Sequence, residues 1–142
     1  MKGQSSVEFT MIMGMALVLA SPFVLSAQTS VVDMKDASDY LQLKRSMDEL
    51  KIAAQELNQS MYPARRNLDF TTPEDVTGVY SKDLPDGSAL IFETYSQGAY
   101  ENRSMVFRFD LEVNSFGNIT RVGIHRVRLR TASNAVNMSV VS

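Results

Sequence analysis

The sequence has no cysteine, which removes disulfides, thiolate metal sites and cysteine nucleophiles together. It has one histidine, His125, so a histidine metal site or a Ser/His dyad would rest on a single residue; an ordinary surface or strand histidine is expected. Charge is absent from Phe9 to Val32. Elsewhere both signs are scattered and the formal net charge is only −2, so the totals carry no nucleic-acid or anionic-lipid footprint. No loop cradles a phosphate, no carboxylates pair for acid–base work, and no nucleophile has its base. No catalytic residue, cofactor or metal is therefore expected, and the chain reads as a non-enzyme.

A chain of 142 residues has room for one compact domain, yet its beginning does not suit a domain surface. Phe9 to Leu25 is almost wholly apolar, and about 20 such residues cross a bilayer as helix. Lys2 precedes the run and the next basic residue is Lys35, which predicts a single pass with the N-terminus cytoplasmic and the remainder facing outward. Glu8 stands at the lip of the run. A carboxylate there costs about 2.5–3.5 kcal/mol if carried to a helix centre, so it either stays at headgroup level or finds a partner.

The run Lys2-Gly3-Gln4-Ser5-Ser6-Val7-Glu8-Phe9 resembles the class III signal peptide of archaeal type IV pilin-like proteins. In that family a basic residue and a glycine precede the cut, Gln begins the mature chain, and Ser and Glu follow at its third and fifth positions. Gln4, Ser6 and Glu8 fall on those positions. The resemblance covers residues 1–25, and nothing downstream adds to it. It implies a leader of residues 1–3, removed between Gly3 and Gln4 by a prepilin peptidase, and a membrane-spanning then filament-core helix over residues 4–32. It further implies that Glu8 neutralises the freed amine of a neighbouring subunit, as a buried charge requires. The implied partners are copies of the chain or related pilins, the peptidase, and the membrane before assembly, with no nucleic acid. Archaellins usually start glycine-rich without this Glu, so an adhesion-type pilin in a cell-surface filament is the expectation.

A rival processing is open. Pro22 to Ala27 also looks like the small-residue end of an ordinary secretory signal, cut after Ser26 or Ala27. Glu8 so close to the apolar run, and one basic residue before it, count against that reading. It would leave a secreted or anchored β-domain that binds a partner without polymerising.

Beyond the run the period changes. Tyr40, Leu43, Met47, Leu50, Ala54, Leu57 and Met61 recur at steps of three and four, with charged residues between them, predicting an amphipathic helix over residues 33–62 that Pro63 stops. Such a helix from Gln4 to Met61 would be roughly 87 Å long. Pro22 is expected to kink it or free backbone groups.

Residues 63–142 predict a β-rich head, giving an α+β fold with the helix packed on an antiparallel sheet. Pro63 to Gly87 reads as a connection holding only short strands. Four strands are predicted at residues 89–95, 105–113, 119–131 and 135–141. A hairpin over Ser115–Asn118 would set Leu111 opposite Val122, Phe109 opposite Ile124 and Glu112 opposite Arg121, with a bulge near His125 or Arg126 bringing Phe107 opposite Val127. Arg126, Arg128 and Arg130 would line one face, most simply a solvated one with acids near by. The sequons at Asn58, Asn102, Asn118 and Asn137 exceed the roughly 1.2 expected by chance from composition and suit a glycosylated, exported surface.

The cut site gives a direct test. Replacing Gly3 by a bulky residue, as in Gly3→Phe, should block maturation and leave membrane insertion intact; a mutant that matured to wild-type size on an immunoblot would refute the class III reading.

Overall fold

The computed structural model describes residues 2–60 and 62–141, with side chains for residues 6–60 and 62–141. Gly3 and Gln4 therefore enter as backbone only, their side-chain surroundings lying outside the described residues, as does Met61. Among the described residues the chain forms a helix, α1 (Lys2–Gln59), and seven strands: β1 (Arg65–Thr72), β2 (Val76–Leu84), β3 (Gly87–Ser96), β4 (Ala99–Phe107), β5 (Asp110–Ser115), β6 (Gly123–Thr131) and β7 (Ala135–Val140). Helix α1 runs on through Pro22 and ends before Pro63. Two compact units divide the chain, Met1–Ala37 and Ser38–Ser142.

The second unit has the expected α+β layout, a helix packed on a largely antiparallel β-structure. Leu43, Met47, Leu50, Ala53, Ala54 and Leu57 of α1 are buried in one core with Phe70, Leu90, Phe92, Phe107, Val127, Leu129 and Met138 from the strands. The buried stripe is broader than the heptad seam, because Ser46 and Ala53 join it while Tyr40 remains 37% exposed. Ser46 is no defect there: its Oγ accepts a hydrogen bond from the Thr71 backbone N–H at 3.1 Å, satisfying a buried hydroxyl and a donor of β1 together. Tyr40 instead lies under the Arg103 guanidinium, 4.2 Å from the ring centroid.

The strands form two sheets, β1-β6-β7-β5 and β2-β3-β4. Their inward faces meet where Phe70 of β1 stacks on Phe92 of β3, with centroids 5.2 Å apart. Residues 63–87 hold two full strands, not short ones; β1 buries a polar Thr72, β2 carries Gly78 next to a register shift, and Tyr80 to Asp83 are all exposed, so little apolar alternation marks them. Residues 105–113 are not one strand, since the chain breaks at Arg108 and Phe109 and turns a corner on which Phe107 and Phe109 pack at 5.3 Å.

The predicted hairpin does not form. β7 inserts between β5 and β6, pairing parallel with β5 and antiparallel with β6, so Leu111 faces Val136 and not Val122, and Glu112 faces Asn137 and not Arg121. The connection from Ser115 to Gly123 is a plug, with Ile119 fully buried and its carbonyl accepting from Thr72 Oγ at 2.7 Å. Nor is there a bulge at His125 or Arg126, because β1 and β6 pair without interruption from Arg65↔Arg130 to Thr72↔Gly123. Phe107 pairs with Ser88 of β3, and Val127 with Leu68 of β1. The phase slip has a simpler cause: Val122 and Ile124 face solvent, while His125, Val127 and Leu129 face the core.

Turn chemistry fixes the three-stranded sheet. Gln97 and Gly98, both at positive φ, close the β3–β4 hairpin in the way a two-residue loop demands. Gly87, at φ 145°, follows the Pro85–Asp86 turn, and a Cβ there would lie 2.1 Å from the Phe107 carbonyl oxygen.

Two outcomes follow from this packing. A fragment beginning near Ser30 should be soluble and show helix and strand by circular dichroism; an unfolded fragment would mean that the core needs other chains. In the full chain held in mild detergent, Gly98→Ala, with open space around it, should cost about 1 kcal/mol. Gly87→Ala should cost about 2–3 kcal/mol or more by denaturant unfolding, because backbone must shift; equal costs would contradict the close approach.

Candidate functional site

The feature with no role inside the head is the first half of α1. From Ser6 to Lys35 every side chain is exposed, including Phe9, Ile12, Leu17, Leu19, Phe23 and Leu25, each at least 61% exposed. Twenty-four uncharged residues, 9–32, make roughly 36 Å of helix against a hydrocarbon core of about 30 Å. The helix is long and apolar enough to cross a membrane. A continuous apolar surface of this kind is far larger than the patches that soluble monomers leave open, so it marks a site covered by lipid or protein.

Three hydroxyls within the segment bond back to the helix itself. Thr10 Oγ1 donates to the Ser6 carbonyl at 2.8 Å, Thr29 Oγ1 to Leu25 at 3.0 Å, and Ser30 Oγ to Ser26 at 2.9 Å. Each hydroxyl thus bonds one turn back and offers no unsatisfied donor to a dry environment. Pro22 lacks an N–H, leaving one carbonyl of the preceding turn without its helical donor. Glu8 is exposed and has no ion-pair partner among the described residues. It is the one carboxylate in the apolar half before Asp33, on the turn after Gln4.

The other sequence-predicted residues scatter over the second unit and are not brought together. Asn58, Asn102 and Asn118 are exposed. Asn137 is half-buried on the interior strand β7, with its Oδ1 buried and without a hydrogen-bond partner. His125 is buried on β6, its Nε2 2.6 Å from the Arg121 carbonyl oxygen, which makes it part of the structure of the loop before it. Among the described residues no three His, Asp or Glu side chains converge as metal ligands would. Arg126, Arg128 and Arg130 do share one face, with Arg126 Nε 3.4 Å from Asp69 and Arg128 Nε 3.4 Å from Asn67 Oδ1. Sequence reasoning missed Arg65, which the register places directly opposite Arg130. The signal for it was a strand in residues 65–72, which weak alternation concealed.

No protein-family model, curated protein or solved structure matches the chain. The apolar segment therefore has to be interpreted from its own chemistry.

That chemistry is open to a charge-insertion test. Leu17 is central in the run, and an arginine at a helix centre costs about 2.5–3.5 kcal/mol on translocon scales. Leu17→Arg should convert a chain that resists alkaline extraction from membranes into one that is largely extracted; unchanged resistance would show that this segment is not the membrane-contacting one.

Proposed function

We propose that the chain is a structural subunit of an archaeal type IV pilus-like surface filament that serves adhesion, assembled through the apolar half of α1. The observation that carries this reading is a charge-free, wholly exposed helical segment with a single carboxylate, Glu8, one residue before it and Lys2-Gly3-Gln4 just upstream. The chain would first cross the membrane once with its N-terminus cytoplasmic. A prepilin peptidase would cut after Gly3, leaving the helix attached and freeing an amine at Gln4.

Assembly then exchanges lipid for protein around the helix. Lipid tails are as apolar as the side chains they contact, so the hydrophobic effect alone does not favour that exchange; packing and polar pairing must. Glu8 supplies the pairing. In a helix bundle that excludes water, an unpaired carboxylate and an unpaired amine each cost several kcal/mol, and together they cancel much of the penalty. Glu8 lies about one turn along from Gln4 on the same helix face; the pairing with a neighbouring subunit's amine is what the resemblance to pilin-like proteins implies. The β-rich head is carried on the outside, where Asn58, Asn102 and Asn118 are the glycan sites that suit an exposed surface. Asn137, held in an interior strand, suits it less.

Glu8→Gln tests this. Cleavage and membrane insertion should stay nearly normal while filaments sheared from cells fall well below wild type relative to membrane-held subunit on an immunoblot; Glu8→Asp should be milder. Normal filament yield from Glu8→Gln would remove the pairing and leave Glu8 as a headgroup-level acid.

A further inference from the structure

The outer face of the four-stranded sheet is uncovered and its charge is unevenly divided. Its outward positions in register include Arg65, Arg130, Asn137 and Glu112 across β1, β6, β7 and β5, and the next rows carry Asn67 with Arg128 and Asp69 with Arg126. Alternate residues of a strand are about 6.7 Å apart, so Arg126, Arg128 and Arg130 form a straight basic row along β6. Arg65 stands beside its last member, at the roughly 5 Å spacing of cross-strand neighbours. Like charges directly opposite are unfavourable, and neither Arg65 nor Arg130 pairs with an acid among the described residues. Of the four arginines only Arg126 has a carboxylate, Asp69, and that pair is exposed on both sides and loosely made at 3.4 Å. The chain as a whole is acidic, with a pI near 5.4, so composition does not account for the row.

At the Arg65–Arg130 end the face opens into a groove of roughly 820 Å³, where Tyr62, Arg65, Arg130, Ser133 and Asn137 stand on a wall that Pro63, two alanines and Thr131 complete. Two guanidinium forks, hydroxyls and an amide place donors along a partly apolar wall, and Tyr62, 72% exposed, offers an aromatic face at its edge. The geometry points to a specific ligand class: an acidic polysaccharide, its carboxylates held by the arginine row and one sugar lodged in the groove. Planar guanidinium forks match carboxylates two bonds at a time. Spaced anions on a hydroxyl-rich polymer suit a row of three cations with a fourth beside its end on an otherwise acidic chain. A nucleic acid fits worse, since its binders are basic as whole domains and single strands need a series of stacking aromatics. The outward positions of β1 and β6 carry none.

The inference concerns a single chain and does not depend on assembly, so its failure is separate from failure of the filament reading. The full chain in non-ionic micelles is tested on immobilised alginate, with neutral dextran and single-stranded DNA as comparators. Alginate should bind in preference to both, with affinity falling as salt rises. Arg65→Ala with Arg130→Ala should weaken binding about tenfold, as two exposed charge pairs would. Arg65→Lys with Arg130→Lys should fall between that pair and wild type, and Arg45→Ala on the exposed helix face should change nothing. Alginate no better than dextran, DNA bound more tightly than alginate, an unaffected Arg65/Arg130 alanine pair, or an equal loss from Arg45→Ala would each overturn the proposal.

Discussion

Water cannot be left on the first half of α1. Its side chains are exposed around the whole circumference, from Val7 through Met34, and no charge interrupts residues 9–32. At about 25 cal/mol per Å² of apolar surface, transfer of so large an exposed area out of water into lipid or a protein contact is strongly favoured. The segment is long and apolar enough to cross a membrane. Three of its hydroxyls, on Thr10, Thr29 and Ser30, bond back to carbonyls one turn earlier, and the carboxylates of Glu8 and Asp33 stand just outside the run.

The same helix meets a different environment after Ala37, and its sequence changes accordingly. An all-round apolar helix becomes one with a stripe, in which Leu43, Met47, Leu50, Ala54 and Leu57 face the sheets while Lys44, Arg45, Asp48 and Glu49 face out. The stripe is fixed against the head by polar contacts as well as by packing. Ser46 accepts from the backbone of β1, Arg66 pairs with Glu56, and Arg103 covers Tyr40. These contacts make the head a folded unit that does not need the apolar segment for its core.

Local pattern made the helix legible and non-local pairing hid the sheets. Three-and-four spacing from Leu43 to Leu57 announced the buried face, and only Ser46 and Ala53, too small or polar to register as core, were absent from it. The strand order was another matter. β5 and β6 are adjacent in sequence and a turn of polar residues joins them, so a hairpin was the economical inference. The fold instead spends that turn on burying Ile119 and gives β5 a parallel partner more than twenty residues on, β7, which no short-range signal specifies. Arg126, Arg128 and Arg130 were visible as a row because alternation alone puts them on one face. Arg65 opposite them was not, because cross-strand neighbours are fixed by register. Glu8 stands out in the sequence by its position beside the apolar run, and its role in assembly rests on the resemblance.

The central claim is that the apolar half of α1 remains part of the mature chain and lies inside a surface filament. Mass spectrometry of the N-terminal peptide from filaments sheared off intact cells tests it most directly. The mature chain should begin at Gln4 and retain the whole apolar segment. A chain beginning near Ala27 or Gln28, or a filament fraction that lacks the protein, would contradict it.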